Sequence, residues 1–269
     1  MNNWNYFQEK YGDPIGVGAQ CQVYRQNDTV YKVLSVGHKI CDVMREGYAL
    51  ALAEESDIPV SNIHGVYTEG GHIVMEMDYV AGESVTELII QAAQKGDVAA
   101  IDAYVDDFVD LQIKLHSKPI VGLASTKQYY ISAISSVPAF PSVLREKVLS
   151  ILEELEDGTS LCHNDFHPLN VMSDHGKYTI IDWDSALIGD AAGDVAHSYV
   201  VNHLNNEELA GIYPGFAEKY LQKYLDKTQM DRKRVEAWIP VHAAILYVVL
   251  SFSAPKEAEK LLPFLPCEM

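Results

Sequence analysis

One stretch limits what this chain can fold into more than any other: Leu161-Cys162-His163-Asn164-Asp165-Phe166-His167-Pro168-Leu169-Asn170-Val171-Met172, followed shortly by Ile180-Ile181-Asp182-Trp183-Asp184. The first segment is an apolar lead-in, then a loop with one carboxylate, Asp165, and an amide, Asn170, five residues on. The turn Asp174-His175-Gly176-Lys177 leads into a second apolar strand, which delivers Asp182. Phosphoryl transfer needs such a set: an aspartate to take or orient a hydroxyl proton, and an amide plus a second aspartate to hold Mg²⁺ against the phosphates. An Asp–Asn pair five apart says nothing by itself. His163, Asp165, Asn170 and Asp182, in this order and between apolar strands, form a constellation that chance seldom produces.

The spacing His-x-Asp-x-x-x-x-Asn, with an Asp after a hydrophobic strand, resembles the catalytic loop and metal-binding segment of the protein-kinase-like superfamily. The fuller form, His-x-Asp-x-His-Pro-x-Asn with Ile-Asp-Trp, is similar to the aminoglycoside phosphotransferase and choline kinase group. The resemblance implies an α+β, two-lobed fold. A small β-rich N-lobe with one main helix would span 1–81, with a hinge near 76–81; a larger, mostly helical C-lobe would span 82–269. It implies that Asp165 is the base and that Asn170 and Asp182 hold Mg²⁺. By the same resemblance His163 braces the metal-binding segment and His167 shapes the loop. Gly189-Asp190-Ala191-Ala192-Gly193-Asp194-Val195-Ala196 resembles the group's Gly-Asp-Pro-x-x-Asp-Leu-Ala, with Ala191 in place of the proline. Asp194 is expected to cap or brace the helix that follows.

Upstream, Gly16 and Gly18 stand in a turn between extended segments, where glycine lets backbone N–H groups approach phosphate. Cys21 occupies the place of a third glycine in the kinase loop. Thr29 to Leu34 alternates like a strand around Lys32, and a lysine so placed needs a partner. By resemblance that partner is Glu46, on a helix over about 39–54, and the pair grips the phosphates of ATP or GTP. The strand running through His72 to Asp78 is the expected approach to the hinge, with backbone groups of Glu76, Met77 and Asp78 meeting the purine edge.

Twelve residues separate Asp182 from Asp194, too few for a peptide-docking activation segment. The acceptor is therefore read as a hydroxyl on a small molecule. The net charge of −18 argues against nucleic acid or an anionic membrane as partner and suits a cationic acceptor. Aminoglycosides are the first expectation; choline and other amino alcohols, macrolides and sugars are the alternatives, and a nucleotide-binding regulator without turnover is the rival from another class. Four scattered cysteines and an N-terminus without a basic-then-apolar pattern point to the cytoplasm.

The rest reads as helices. Asp97 caps an amphipathic helix with Ile101, Tyr104, Val105, Phe108, Leu111 and Leu115 on one face and Asp102, Asp106, Asp107, Asp110 and Lys114 on the other, solvated face. Residues 118–141 read as loop-rich, with a short helical turn at Tyr129-Tyr130. Asp231 caps a late helix with a kink expected at Pro240, whose apolar run from Val241 to Phe252 reads as too short to span a bilayer. Tyr199, Glu207, Glu208 and Trp238 are candidates for contact with a cation or a sugar.

Overall fold

Alternating apolar residues build the first sheet and divide its two faces. In β3 (Thr29–Leu34) and β5 (His72–Asp78), Val33 and Val74 point one way, Leu34, Ile73 and Met75 the other. A computed structural model describes residues 3–18, 20–204, 213 and 215–267. The chain divides into two compact units, Met1–Glu83 with Val171–Ser185, and Ser84–Asn170 with Ala186–Met269.

In the first unit, β1 (Gly16–Val17), β2 (Cys21–Gln26), β3, β4 (Ile63–Glu69) and β5 form an antiparallel sheet in the order β1-β2-β3-β5-β4. Val33, Val74 and Tyr24 pack against Phe7 and Tyr11 of a helix not foreseen from the sequence, α1 (Trp4–Tyr11). Polar bonds fasten α1: the Tyr6 and Tyr11 hydroxyls and Lys10 converge on Glu69, and the Asn3 N–H donates to His72 Nε2. On the other face Leu34, Ile73 and Met75 meet Val43 of α2 (Ile40–Glu55). Burying a side chain such as Met75 stabilises the fold by about 1.5–3 kcal/mol. A hairpin of β8 (Val171–Asp174) and β9 (Lys177–Ile180) belongs to the same unit. Gly82 lies before the short β6 (Glu83–Ser84) with φ +100, and a Cβ there would sit 2.1 Å from the Ser173 carbonyl oxygen, so only glycine fits.

The second unit is helical. Ser84 opens α3 (Val85–Gln94) with a reciprocal capping box to Glu87, and Asp97 caps α4 (Val98–His116) through the Ala100 N–H. The supposed loop at 118–141 contains a full helix, α5 (Thr126–Ser136), capped by Ser125; its apolar positions are few, which hid its period. Then come α6 (Ser142–Glu154), the antiparallel pair β7 (Ser160–Cys162) and β10 (Leu187–Gly189), and α7 (Ala191–Leu204), buried on nearly every side. The unit closes with α8 (Phe216–Thr228), α9 (Arg232–Ser253) and α10 (Pro255–Glu259). Helix α9 runs unbroken through Pro240 and, at 22 residues, is long and apolar enough to cross a membrane by composition alone, unlike its final run. Its Trp238, Val241, Ala243 and Ala244 are buried, and Trp238 lies against Gly193 of α7, as a core helix requires. The acidic face of α4 is solvated, and it carries surface ion pairs: Lys223 of α8 bridges Asp102 and Asp106, and Lys227 bridges Asp106 and Asp110.

Candidate active site

The candidate residues of the first unit gather on Lys32. It shares a face of β3 with Leu34, so it points toward α2. Its Nζ donates to Glu46 Oε1 and Oε2 at 2.9 and 3.1 Å and to Asp182 Oδ1 at 2.7 Å. Side-chain exposure is 11% for Lys32, 4% for Glu46 and 44% for Asp182. Burial would push the Lys32 ammonium down, but the charges of Glu46, Asp182 and Asp184 more than offset it and hold it well above the ordinary lysine range.

Asp182 reaches Lys32 because of its neighbours. Ile180 and Trp183 are buried on either side, the Trp183 indole N–H donates to the Ile180 carbonyl at 3.0 Å, and the Ile180 N–H donates to the Pro59 carbonyl. Asp182 itself sits in the left-handed region at φ 65, uncommon for a non-glycine residue and seen where surrounding structure fixes it. Both flanks are thus anchored while the carboxylate stays half open.

Gly16 pairs with Val23, and the Gly18 N–H donates to the Cys21 carbonyl at 2.9 Å. Neither glycine has a positive φ, and a Cβ would meet only ordinary contacts at 3.5 Å or more. Nothing within the sheet demands glycine at these two places. Glu76 and Met77 lie in β5 with β3 on one side and β4 on the other, Asp78 pairs with Thr29 while its N–H donates to the Asn62 carbonyl, and the Tyr79 N–H donates to the Asp28 carbonyl at 2.8 Å. The Asp78 carboxylate accepts from Asn62 and bonds His64, a structural engagement.

In the second unit the loop after β7 carries Asp165 and Asn170. The Asn170 side-chain N–H₂ donates to the Asp165 carbonyl at 2.9 Å and to its Oδ2 at 3.1 Å, and its backbone N–H donates to the His167 carbonyl. This closes the turn and leaves the Asn170 Oδ1 as the atom free to meet a cation. His167 Nε2 stands 3.6 Å from Asp165 Oδ2. Burial would raise the Asp165 carboxyl; the His167 hydrogen bond and charge bring it below the ordinary value, so it is ionised at neutral pH. His163 is fully buried and packs edge-on against Phe166, which stacks on Phe108 of α4 at 4.5 Å.

Asp194 acts differently from expectation. It lies in the first turn of α7, yet its side chain caps nothing there. Oδ1 accepts the Asn164 N–H at 2.6 Å, and Oδ2 bonds Gln112 Nε2 at 3.1 Å and His116 Nε2 at 2.8 Å. Burial would raise this carboxyl; the His116 hydrogen bond and charge, with the Asn164 N–H, hold it far below the carboxylate range. Asn164 is left-handed at φ 56, a conformation asparagine tolerates, and its Oδ1 accepts from the Tyr130 hydroxyl. Asp194 therefore braces the loop that precedes Asp165, not its own helix. Gln112, His116 and His197 escape sequence reading, because each reads as one polar residue in a helix. The cation-or-sugar candidates fare otherwise: Trp238 and Tyr199 are buried in the core, and Glu207 and Glu208 lie outside the described residues.

Among the described residues no group of three or more His, Cys, Asp or Glu is arranged to hold a metal ion. Asp182 in the first unit and Asn170 in the second each carry a hard oxygen donor of the kind Mg²⁺ takes.

Residues 14–233 match the family described as the phosphotransferase enzyme family. The chain belongs to it. No curated protein sequence matches this phosphotransferase. Solved structures do, and they share its protein-kinase-like fold. The aminoglycoside phosphotransferase APH(4)-Ia, in a ternary complex with ADP and hygromycin B, is 13% identical with a TM-score of 0.68, covering 98% of each chain. The amicoumacin kinase hAmiN, in complex with AMP-PNP, Ca²⁺ and Ami, is 14% identical with a TM-score of 0.65, covering 98% of this chain and 92% of its own. The choline kinase LicA from Streptococcus pneumoniae is 15% identical with a TM-score of 0.65, covering 97% of each. The phosphotransferase thus has the two-lobed α+β architecture that its loop motif implied.

Proposed function

We propose that this phosphotransferase moves the γ-phosphoryl group of ATP or GTP to a hydroxyl of a cationic small molecule, with aminoglycosides as the first class to try. The observation that carries the reading is Lys32, bonded at once to Glu46 and Asp182. A buried cation held by a helix carboxylate and set against the metal carboxylate is what gripping a polyphosphate requires. Asp165 orients the acceptor hydroxyl and takes its proton as the bond to phosphorus forms. Its carboxyl is a weak base, which suits a loose transition state in which the proton leaves late. Lys32 balances charge on the phosphates, Gly16 and Gly18 leave room for backbone N–H groups beside them, and the stretch 76–81 meets the purine edge. Asp182 and Asn170 are the proposed Mg²⁺ ligands, and the bound ion supplies charge neutralisation on the transferred group.

The acidity of the chain supports a cationic acceptor, and the neighbours whose complexes contain hygromycin B and amicoumacin, with the choline kinase, mark the range of acceptors to test. The experiment is direct. Protein, Mg²⁺ and ATP or GTP are incubated with aminoglycosides, macrolides, amino alcohols and sugars, and products are weighed by mass spectrometry. A gain of one phosphate on a cationic acceptor is the expected result. Transfer to neutral acceptors only would remove the cationic reading. Nucleotide binding with no transfer to any acceptor would favour a regulator.

A further inference from the structure

We propose that Asn164 is a positioning residue for Asp165: its left-handed backbone turns the chain so that the Asp165 carboxylate leaves the core, and Tyr130 holds it in that turn. The role rests on the reading of Asp165 as the group that meets the acceptor. The first observation is the course of the chain. Leu161, Cys162, His163 and Asn164 are buried in succession and Phe166 is fully buried again, yet the Asp165 side chain between them is 34% exposed. The chain bends at Asn164 and Asp165, and His163 meets Phe166 edge-on across that bend, with ring centres 6.0 Å apart. A continued strand would send these two side chains, three positions apart, to opposite faces. Asn164 makes the reversal at φ 56, a conformation in which the Cβ of most residues crowds the following carbonyl.

The second observation is what holds the turn. The Asn164 N–H donates to Asp194 Oδ1 at 2.6 Å, its side-chain N–H₂ donates to the Cys162 carbonyl at 3.4 Å, and its Oδ1 accepts from the Tyr130 hydroxyl at 3.3 Å. The amide has one orientation here. A carbonyl only accepts, so Nδ2 faces Cys162, Oδ1 faces Tyr130, and the tyrosine must donate. Burial raises the Tyr130 hydroxyl, which therefore keeps its proton. The two side-chain bonds are long and the backbone bond is short. A glycine, which keeps the conformation and the bond to Asp194, would lose only the weaker part of the hold. On the other flank Asn170 grips the Asp165 carbonyl and Oδ2. Asp165 is thus fixed from both sides, by Asn164 before it and by Asn170 after it.

Kinetics of two variants separate the conformation from the side chain. Both lose the amide, but Asn164→Gly adopts a left-handed turn freely and Asn164→Ala does not. Asn164→Ala should lower kcat by about ten- to a hundredfold, the usual consequence of a misplaced catalytic group, with KM for the nucleotide unchanged, and Asn164→Gly should recover most of that loss. A turn that only completes the fold would lower the urea midpoint of Asn164→Ala and leave the kcat of the folded protein at the wild-type value. Equal kcat in the two variants overturns the proposal, whether both are normal or both impaired. Tyr130→Phe keeps the ring and removes the donor. It should lower kcat less than Asn164→Ala does, again at constant KM, and an unchanged kcat removes Tyr130 from the role. Should Asn164→Ala not fold, the other two variants decide: a loss of about tenfold or more in Asn164→Gly, or none in Tyr130→Phe, overturns the proposal. A crystal structure with Asn164 at negative φ overturns it whatever the kinetics. If Asp165→Asn is as active as wild type, the reading of Asp165 fails and takes the role with it. If Asp165→Asn is inactive and Asn164→Ala is as active as wild type, only the positioning role fails.

Discussion

Asp182 and Asp165 are both aspartates at the end of an apolar strand, yet the molecule holds them by opposite means. Asp182 is 44% exposed and tied through its side chain to a cation, Lys32, which Glu46 holds from the other side. Asp165 is fixed by its own loop: the Asn170 amide bonds its carbonyl and carboxylate, and the buried Asp194 carboxylate holds the backbone N–H of Asn164 just before it. The first arrangement is a set of charges waiting to be re-paired. The second is a set of hydrogen bonds that resists change. On the proposed roles, the first arrangement suits a residue that releases one partner to take metal and phosphate, and the second one that meets a hydroxyl at fixed distance.

The sharpest way to break this comparison is to neutralise each aspartate in turn. Asp165→Asn keeps the shape and should lower kcat roughly 10²–10⁴-fold, the usual worth of a positioned base, while Mg²⁺–nucleotide affinity stays near wild type. Asp182→Asn should damage Mg²⁺-dependent nucleotide binding as well as turnover. Paired steady-state kinetics and nucleotide titrations, with and without Mg²⁺, separate the two. Lost nucleotide affinity in Asp165→Asn together with normal affinity in Asp182→Asn would reverse the assignment.

Next in size is the brace. Asp194→Ala strands His116, Gln112 and the Asn164 N–H inside the second unit. Breaking a buried pair of this kind costs about 3–5 kcal/mol, to be read as a lower urea midpoint. A loss under about 1 kcal/mol would mean that the loop is held by packing on Phe108 and Phe166 instead.

How far the sequence revealed each arrangement follows from how each is built. The charged set was legible: a lysine inside an apolar strand has few ways to be satisfied, so Lys32 calls for Glu46, and Asp182 after Ile180-Ile181 announces itself. The hydrogen-bonded set was legible only at Asp165 and Asn170, whose spacing is local. Asp194 was singled out, but its partners lie 30, 78 and 82 residues away in Asn164, His116 and Gln112. No periodicity encodes a bond between three elements. Helix α5 was missed for a related reason, since its buried residues Thr126, Tyr130 and Ile134 form one sparse stripe in a polar segment.

The two arrangements should also titrate at opposite ends. Lys32 is held above its unfolded value, so its contribution is complete below about pH 10.4 and is lost as pH rises through the folded value. Asp194 is held low, so its contribution is present above about pH 3.9 and is lost as pH falls through the folded value. His197 and His242 are also held low by burial. The unfolded chain takes up their protons near pH 6.5 while the native protein refuses them, so stability falls as pH drops below that point. Urea midpoints between pH 7.5 and 5 should decline, and His242→Leu should flatten that decline. An equally steep decline in the variant would place the acid sensitivity elsewhere.

The smallest expected effect tests whether charge pairing alone earns stability, as the comparison denies. Lys227 of α8 bridges Asp106 and Asp110 of α4 with side-chain exposures of 32%, 36% and 60%. Water screens such a pair, and ordering the lysine costs conformational entropy, so Lys227→Ala should lower stability by about 0.2–1 kcal/mol, less in high salt. Lys32 also bridges two carboxylates, but one of them, Glu46, is 4% exposed, and removing the lysine leaves that charge buried and unanswered. Lys32→Ala should therefore cost several times more than Lys227→Ala, and added salt should narrow the gap little. Urea denaturation of both variants at low and high salt reads the contrast. Equal losses would show that burial of Glu46 contributes nothing, and that the charged set is held by surface electrostatics alone.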